Sequence, residues 1–248
     1  MPETFPLALV TGAAHRLGKA FALTLARRGY AILLHHHTAV SEAAHTADEL
    51  RALGVPVFPV QADLADEARI TALFSRVDEI LADPASGVTH LGVLVNSAAV
   101  LHRADARTLS IPDFDATLDI NLRAPFLCAR EAFARMGPGS LIVNVSDVAA
   151  QKVWTGFPAY TVSKAGIETL TRIQARSFAP HVRVNAIAPG LVLPSDDMPL
   201  DDWERLVGRL PLKRAAALEE IAYTLEFLLQ NEYITGQTIV VDGGYSLL

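Results

Sequence analysis

The chain has a single cysteine, Cys128, which excludes an internal disulfide and a cysteine-rich metal site. One thiol fits a reducing compartment, and a cytoplasmic location is expected. No run approaches the roughly 18–20 consecutive apolar residues that a membrane span needs. The opening Met-Pro-Glu-Thr-Phe-Pro has no basic segment leading into an apolar one, so no secretory signal is read there. Basic charge is not in excess: the formal net charge is −6, which argues against general nucleic-acid binding. No linker, repeat, low-complexity tract or composition break divides the chain. With 248 residues, 51% apolar and 19% charged, it reads as one globular domain over 1–248.

What is present is an alternation. Short apolar runs at 5–10, 31–34, 55–60, 91–95, 141–145, 182–187 and 238–241 read as buried strands. Between them lie helical stretches at 19–28, 41–53, 67–81, 113–135, 159–172 and 218–230, with Ser41 expected as a cap. Strand-helix alternation predicts a doubly wound, mostly parallel α/β sheet of the Rossmann type. Ligands of such a sheet bind beyond the carboxyl ends of the strands. The connection over 190–214 carries Pro194, Pro199 and Pro211 and is long enough to be a substrate lid.

Two further absences bear on the ligand. Thr11-Gly-Ala-Ala-His-Arg-Leu-Gly18 joins the first strand to a helix, the setting in which free amides and the helix dipole hold phosphate. The dinucleotide fingerprint has three glycines, and here Arg16 stands at the middle one. The second strand ends in His35-His36-His37-Thr38, with none of the acidic residues that would grip a ribose 2′-hydroxyl. Imidazoles with Arg16 nearby suit the 2′-phosphate of NADPH better than NADH. Two other readings of the histidines stand beside this one. One is a metal site, which the alternating faces of a strand disfavour, and the other is a plain polar strand end. Asp63, at the third strand's end, is expected either to cap the next helix or to bond an adenine amino group.

Tyr160 and Lys164 are four apart and share one face of a helix. A cation beside a phenol favours the phenolate, so Lys164 is expected to lower the Tyr160 pKa toward a useful value for proton donation. Asp147 and Ser146 end the strand before this helix, and Asn121 is an amide in an apolar stretch.

Thr11-Gly12 with Gly18, Asp63-Leu64, Asn96-x-Ala98, Asn121, Tyr160-x-x-x-Lys164, Pro189-Gly190 and Asp242-Gly-Gly244 together resemble the short-chain dehydrogenase/reductases over essentially the whole chain. The resemblance implies pro-S hydride transfer from a nicotinamide, with Tyr160 as proton donor. It also implies that Lys164 holds the ribose and that Asn121 keeps a proton-relay water. By the same likeness Gly12, Arg16, Leu17, Gly18, His36, His37, Asp63, Leu64, Asn96, Ala98, Pro189, Gly190 and Val192, with Tyr160 and Lys164, hold the cofactor. A homotetramer is implied too, packed through the long fourth and fifth helices and the C-terminal segment.

Within that superfamily the chain is most similar to the pteridine reductases. The Arg16-bearing loop, Leu34-His-His-His37, Ser195-Asp-Asp-Met-Pro199 with Trp203, and the C-terminal Asp242-Gly-Gly-Tyr-Ser-Leu247 carry the likeness. So does Asp147, thirteen residues before Tyr160, where most of the superfamily has Ser. Thr38 stands where that branch has Arg, Ser97 where a second Asn is usual, and Leu101 where an aromatic ring would stack on a pterin. Trp154 and Phe157 are each a substitute ring or core packing. An ionised carboxylate cannot donate to a developing oxyanion, whereas a carboxyl of raised pKa can pass a proton toward a ring nitrogen. Asp147, Tyr160 and Leu101 are therefore the expected substrate contacts. The alternatives are Ser146 in the assisting role, or Asp147 as a cap or a solvated acid. At the level of function, the rivals are a carbonyl/alcohol oxidoreductase and a non-catalytic dinucleotide sensor.

Overall fold

The structure, a computed structural model, describes residues 4–195 and 198–248. Seven strands, all paired in parallel, form one sheet in the order β3-β2-β1-β4-β5-β6-β7. They are β1 Phe5–Thr11, β2 Ala31–His36, β3 Val57–Gln61, β4 Val88–Asn96, β5 Ser140–Val145, β6 Val182–Pro189 and β7 Thr238–Val241. The order reverses between β1 and β4, which opens a crevice at their carboxyl ends.

Helices cover both faces because alternate strand residues point to opposite sides. On one side α1 (Arg16–Arg27), α2 (Val40–Arg51) and α9 (Leu218–Gln230) pack on Ala8, Val10, Ile32, Leu34, Val93 and Val143. On the other, α3 (Glu67–Ala82), α5 (Ala124–Phe133) and α7 (Pro158–Phe178) pack on Leu7, Leu9, Leu33, Leu91, Leu94 and Ile142. Three more α-helices among the described residues are α4 (Ile111–Leu118), the short α6 (Ala149–Lys152) and α8 (Leu200–Arg209).

Three expectations shift. The helix expected over 113–135 is broken by a π turn at Asp119–Arg123, where the Ala124 N–H reaches back to the Asp119 carbonyl. Asp66, not Asp63, caps α3 by accepting from the Ala68 N–H, while Asp63 accepts from Ala65 in its own turn. Helix α2 begins at Val40, so Ser41 sits inside it and no side chain caps it. The 190–214 connection, where short helices are expected beside the prolines, holds the ten-residue α8. Of the segment Ser195 to Pro199, Asp196 and Asp197 lie outside the described residues.

Candidate active site

A cavity of about 890 Å³ opens at the carboxyl ends of the strands. Its walls include all of the expected site residues except Asn96 and Asn121.

One end is built by the loop after β1. Gly12 has φ +65°, and a Cβ there would stand 2.9 Å from the Ala98 Cα. A Cβ on Gly18 would stand 2.0 Å from the Gly12 carbonyl oxygen. Only glycine closes this loop onto the start of α1 and the end of β4. Thr11 fastens the same corner, its Oγ1 accepting from the Ser97 and Ala98 N–H groups at 3.0 and 3.1 Å. Arg16 also has a positive φ, +52°, and donates to the Leu193 and Pro194 carbonyls, tying this loop to the start of the long connection.

The three histidines divide. Buried His35 accepts from the Gly12 N–H at Nδ1, with Nε2 3.1 Å from the Ala62 carbonyl. Burial holds its pKa down at about 4, so it is neutral and structural. His36 is buried and its Nδ1 has no partner among the described residues, while His37 is exposed at the rim. Both line the cavity. Among the described residues no three His, Cys, Asp or Glu side chains converge as a metal site would require. A glycine cradle without acidic residues at a helix start, a buried imidazole with an unused nitrogen and no acid at the end of β2 fit a phosphorylated dinucleotide.

At the other end the Tyr160 hydroxyl donates to Asp147 Oδ2 at 2.9 Å, and Asp147 Oδ1 accepts from the Ala149 N–H at 2.7 Å. Lys164 is 3% exposed; its Nζ donates to the Val145 carbonyl at 2.7 Å and lies 5.4 Å from the centre of the Tyr160 ring. Ser146 turns away, its hydroxyl directed to the Lys164 carbonyl and to Glu168. Adjacent residues at a strand end face opposite ways, and the phenol meets the carboxylate rather than the serine.

The electrostatics reverse one expectation. The Tyr160 pKa is raised well above 10, first by burial and then by the Asp147 carboxylate that accepts its proton. The expected lowering by Lys164 is overtaken because the negative neighbour is in direct contact while the ammonium faces a backbone oxygen. Burial likewise raises the Asp147 pKa, against the pull of the Ala149 N–H, Lys164 and Tyr160. Burial lowers the Lys164 pKa to about 8, against the pull of Asp147.

Two expected contacts face elsewhere. The Asn96 side chain donates to Asn144 Oδ1 at 2.8 Å, within a buried chain that runs on from Asn144 to Thr171 and Gln174. It stitches β4 to β5 and α7 and does not line the cavity. Asn121 spends its amide on both backbone groups of Val100 and on Ser163, which fixes the loop after β4 and leaves that side chain fully engaged. Sequence reading gave no sign of His35 as a clamp, and named Tyr245 only within the C-terminal likeness; it packs with Trp154 at the cavity wall. The Asp242-Gly-Gly244 pattern beside it was the available signal. Leu101, Met198, Trp203 and Leu206 complete the apolar end.

The family model described as enoyl-(acyl carrier protein) reductase matches residues 12–246. A 3-oxoacyl-[acyl-carrier-protein] reductase, FabG, of Staphylococcus aureus is 33% identical over 96% of each chain. Among solved structures, the FolM alternative dihydrofolate reductase 1 of Brucella canis, complexed with NADP, aligns with a TM-score of 0.89 at 33% identity, covering 98% of this chain and 94% of that one. A blue fluorescent protein from a metagenomic library, in complex with NADPH, aligns with a TM-score of 0.88 at 28% identity, over 98% of each chain. The whole-length match, the parallel sheet and the Tyr160–Lys164 pair at its carboxyl edge agree, and the chain belongs to the short-chain dehydrogenase/reductase superfamily.

Proposed function

We propose that this protein is an NADPH-dependent reductase of a flat substrate with a C=N bond, of the pterin class. The observation that carries the reading is the hydrogen bond from Tyr160 to Asp147. Bound NADPH supplies a hydride to the carbon of the C=N bond. The nitrogen then needs a proton, and Tyr160 is the group to give it. Asp147, with a raised pKa, returns a proton to the phenolate when protonated. Hydride and proton together convert C=N to CH–NH. Lys164 holds its charge beside the phenol below about pH 8 and steadies the phenolate as it forms.

Gly12 and Gly18, with the start of α1, are the residues to receive the pyrophosphate. His36, His37 and Arg16, which line the same end of the cavity, are the residues to meet a 2′-phosphate. The Brucella canis FolM structure with NADP supports this cofactor. A homotetramer is part of the proposal. Phe126 on α5, Val162 and Ile173 on α7, and Tyr223 and Phe227 on α9 expose the apolar surface for it.

The second reading is reduction of a 3-oxoacyl thioester, favoured by the identity to FabG. Assays of 7,8-dihydropterin and an acetoacetyl thioester, each with NADPH and NADH, separate the two. Dihydropterin turnover with NADPH, reduced at least tenfold in Asp147→Ala, is the expected result. Thioester turnover alone, unchanged in that variant, overturns the proposal.

A further inference from the structure

Trp154 carries a donor with nowhere to put it. Its Nε1 is closed off and has no hydrogen-bond partner among the described residues. A buried donor left unmade costs about 1–3 kcal/mol, so a native site that keeps one invites a functional account. The backbone beside it is also strained. Val153 has φ +54°, a region that a β-branched residue rarely enters.

That left-handed step ends α6 and turns the chain so that the indole meets the cavity. The Trp154 carbonyl then accepts from the Phe157 N–H and the Thr161 hydroxyl, which locks the turn to the start of α7. The indole lies nearly parallel to the Tyr160 ring, at 16° with centres 6.5 Å apart. Phe157 and Tyr245 flank it at 6.0 and 6.1 Å. An aromatic slot thus borders the very hydroxyl that faces Asp147.

We propose that Trp154 is a specificity-determining residue whose indole forms the aromatic wall of the substrate site, against which a flat ring packs; the unmade N–H bond is a cost of holding the indole there. The inference rests on the reading of this cavity as a reductase site, not on the pterin itself. Any planar ring that can pack on the indole meets the requirement, and a flexible acyl chain does not.

The test reads the indole directly. The chain has two tryptophans, so ¹⁵N-labelled protein gives two indole resonances, and W203F assigns them. NADP⁺-loaded protein is titrated with 7,8-dihydropterin, with 1-tetralone and with an acetoacetyl thioester. The expected result is a ring-current shift of the Trp154 indole resonance on binding of a flat ligand, and roughly tenfold weaker binding of that ligand to W154A, with NADP⁺ binding unchanged. A shift with tetralone and no binding of dihydropterin leaves this inference standing and removes the pterin reading. A flat ligand that binds while the Trp154 resonance stays in place, or a shift produced by the thioester alone, overturns it.

Discussion

The Gly12 N–H donates to Nδ1 of His35 at 3.1 Å. A backbone N–H can only donate, so Nδ1 bears the lone pair, and Nε2 carries the proton toward the Ala62 carbonyl. One neutral imidazole therefore joins the loop after β1 to the end of β3. Protonation would set two N–H groups against each other and free the glycine loop.

The first prediction follows from this clamp. The folded pKa of His35 is about 4 against an ordinary 6.5, so the unfolded chain takes up the proton first as pH falls. The stability tied to the neutral ring is complete above pH 6.5 and is lost progressively down to about pH 4, on the order of 3 kcal/mol in all. His35→Gln keeps one acceptor and one donor and does not titrate. Thermal unfolding between pH 7.5 and 4 should show a shallower pH slope in this variant than in the wild type. Equal slopes would assign the acid sensitivity to other groups.

How much of this was readable beforehand depends on the range of the force concerned. The central strands were legible because they carry continuous apolar runs buried on both faces, as Leu7 to Val10 and Ile32 to Leu34 are. The Tyr160–Lys164 pair was legible because helical spacing fixes it locally. The π turn at Asn121 was not, since it depends on Val100 across the loop, and no periodicity records that contact. Asn96 misled for a similar reason: its motif fixes where it lies, whereas its partner Asn144 on β5 fixes where its amide is spent. The sign of the Tyr160 shift was missed because burial and a touching carboxylate outweigh a cation held by a backbone oxygen.

The second prediction concerns Asp147. Asp147→Asn keeps the size and a hydrogen-bond acceptor for Tyr160 but removes the titrating carboxyl and its repulsion of the phenolate. The Tyr160 pKa should fall, and the rate of C=N reduction should drop about 10²-fold as the proton supply is lost. Asp147→Ser should gain carbonyl reduction, because a hydroxyl can donate to an oxyanion where a carboxylate cannot. Profiles of kcat/KM against pH for both variants, on dihydropterin and on a ketone, check these directions. A wild-type profile in Asp147→Asn would remove the carboxyl from the proton path.

Lys164 gives the third. Its folded pKa of about 8 lies below the ordinary 10.5 because burial disfavours the ammonium. Between pH 8 and 10.5 the unfolded chain binds the extra proton, so this group makes folding more favourable as pH rises through that window. The same loss of charge removes the cation beside Tyr160. Activity should therefore decline above about pH 8 while the fold becomes no weaker on this account. Lys164→Met should melt a few degrees higher than the wild type, at 2–4 °C for each kcal/mol, and bind NADPH less tightly. Calorimetry and a fluorescence titration of NADPH measure the two effects separately. A lower melting temperature with unchanged NADPH binding would contradict both.

The fourth prediction separates two roles of Arg16. Its guanidinium reaches the Leu193 and Pro194 carbonyls, so the loop that receives phosphate is tied to the connection that walls the substrate end. Its backbone, at φ +52°, also carries a conformation that suits glycine better. Arg16→Ala loses the tie and keeps the strain, whereas Arg16→Gly loses the tie and relaxes the strain. Both should raise KM for NADPH and for the second substrate together, because one side chain serves both walls. Limited proteolysis should cut near 193–199 faster in both variants than in the wild type. Only their stabilities should part, with Arg16→Gly melting higher than Arg16→Ala by about 2–4 °C, the equivalent of about 1 kcal/mol of relieved backbone strain. A KM effect confined to NADPH, with unchanged proteolysis, would mean that the tie to Leu193 and Pro194 does not couple the two walls.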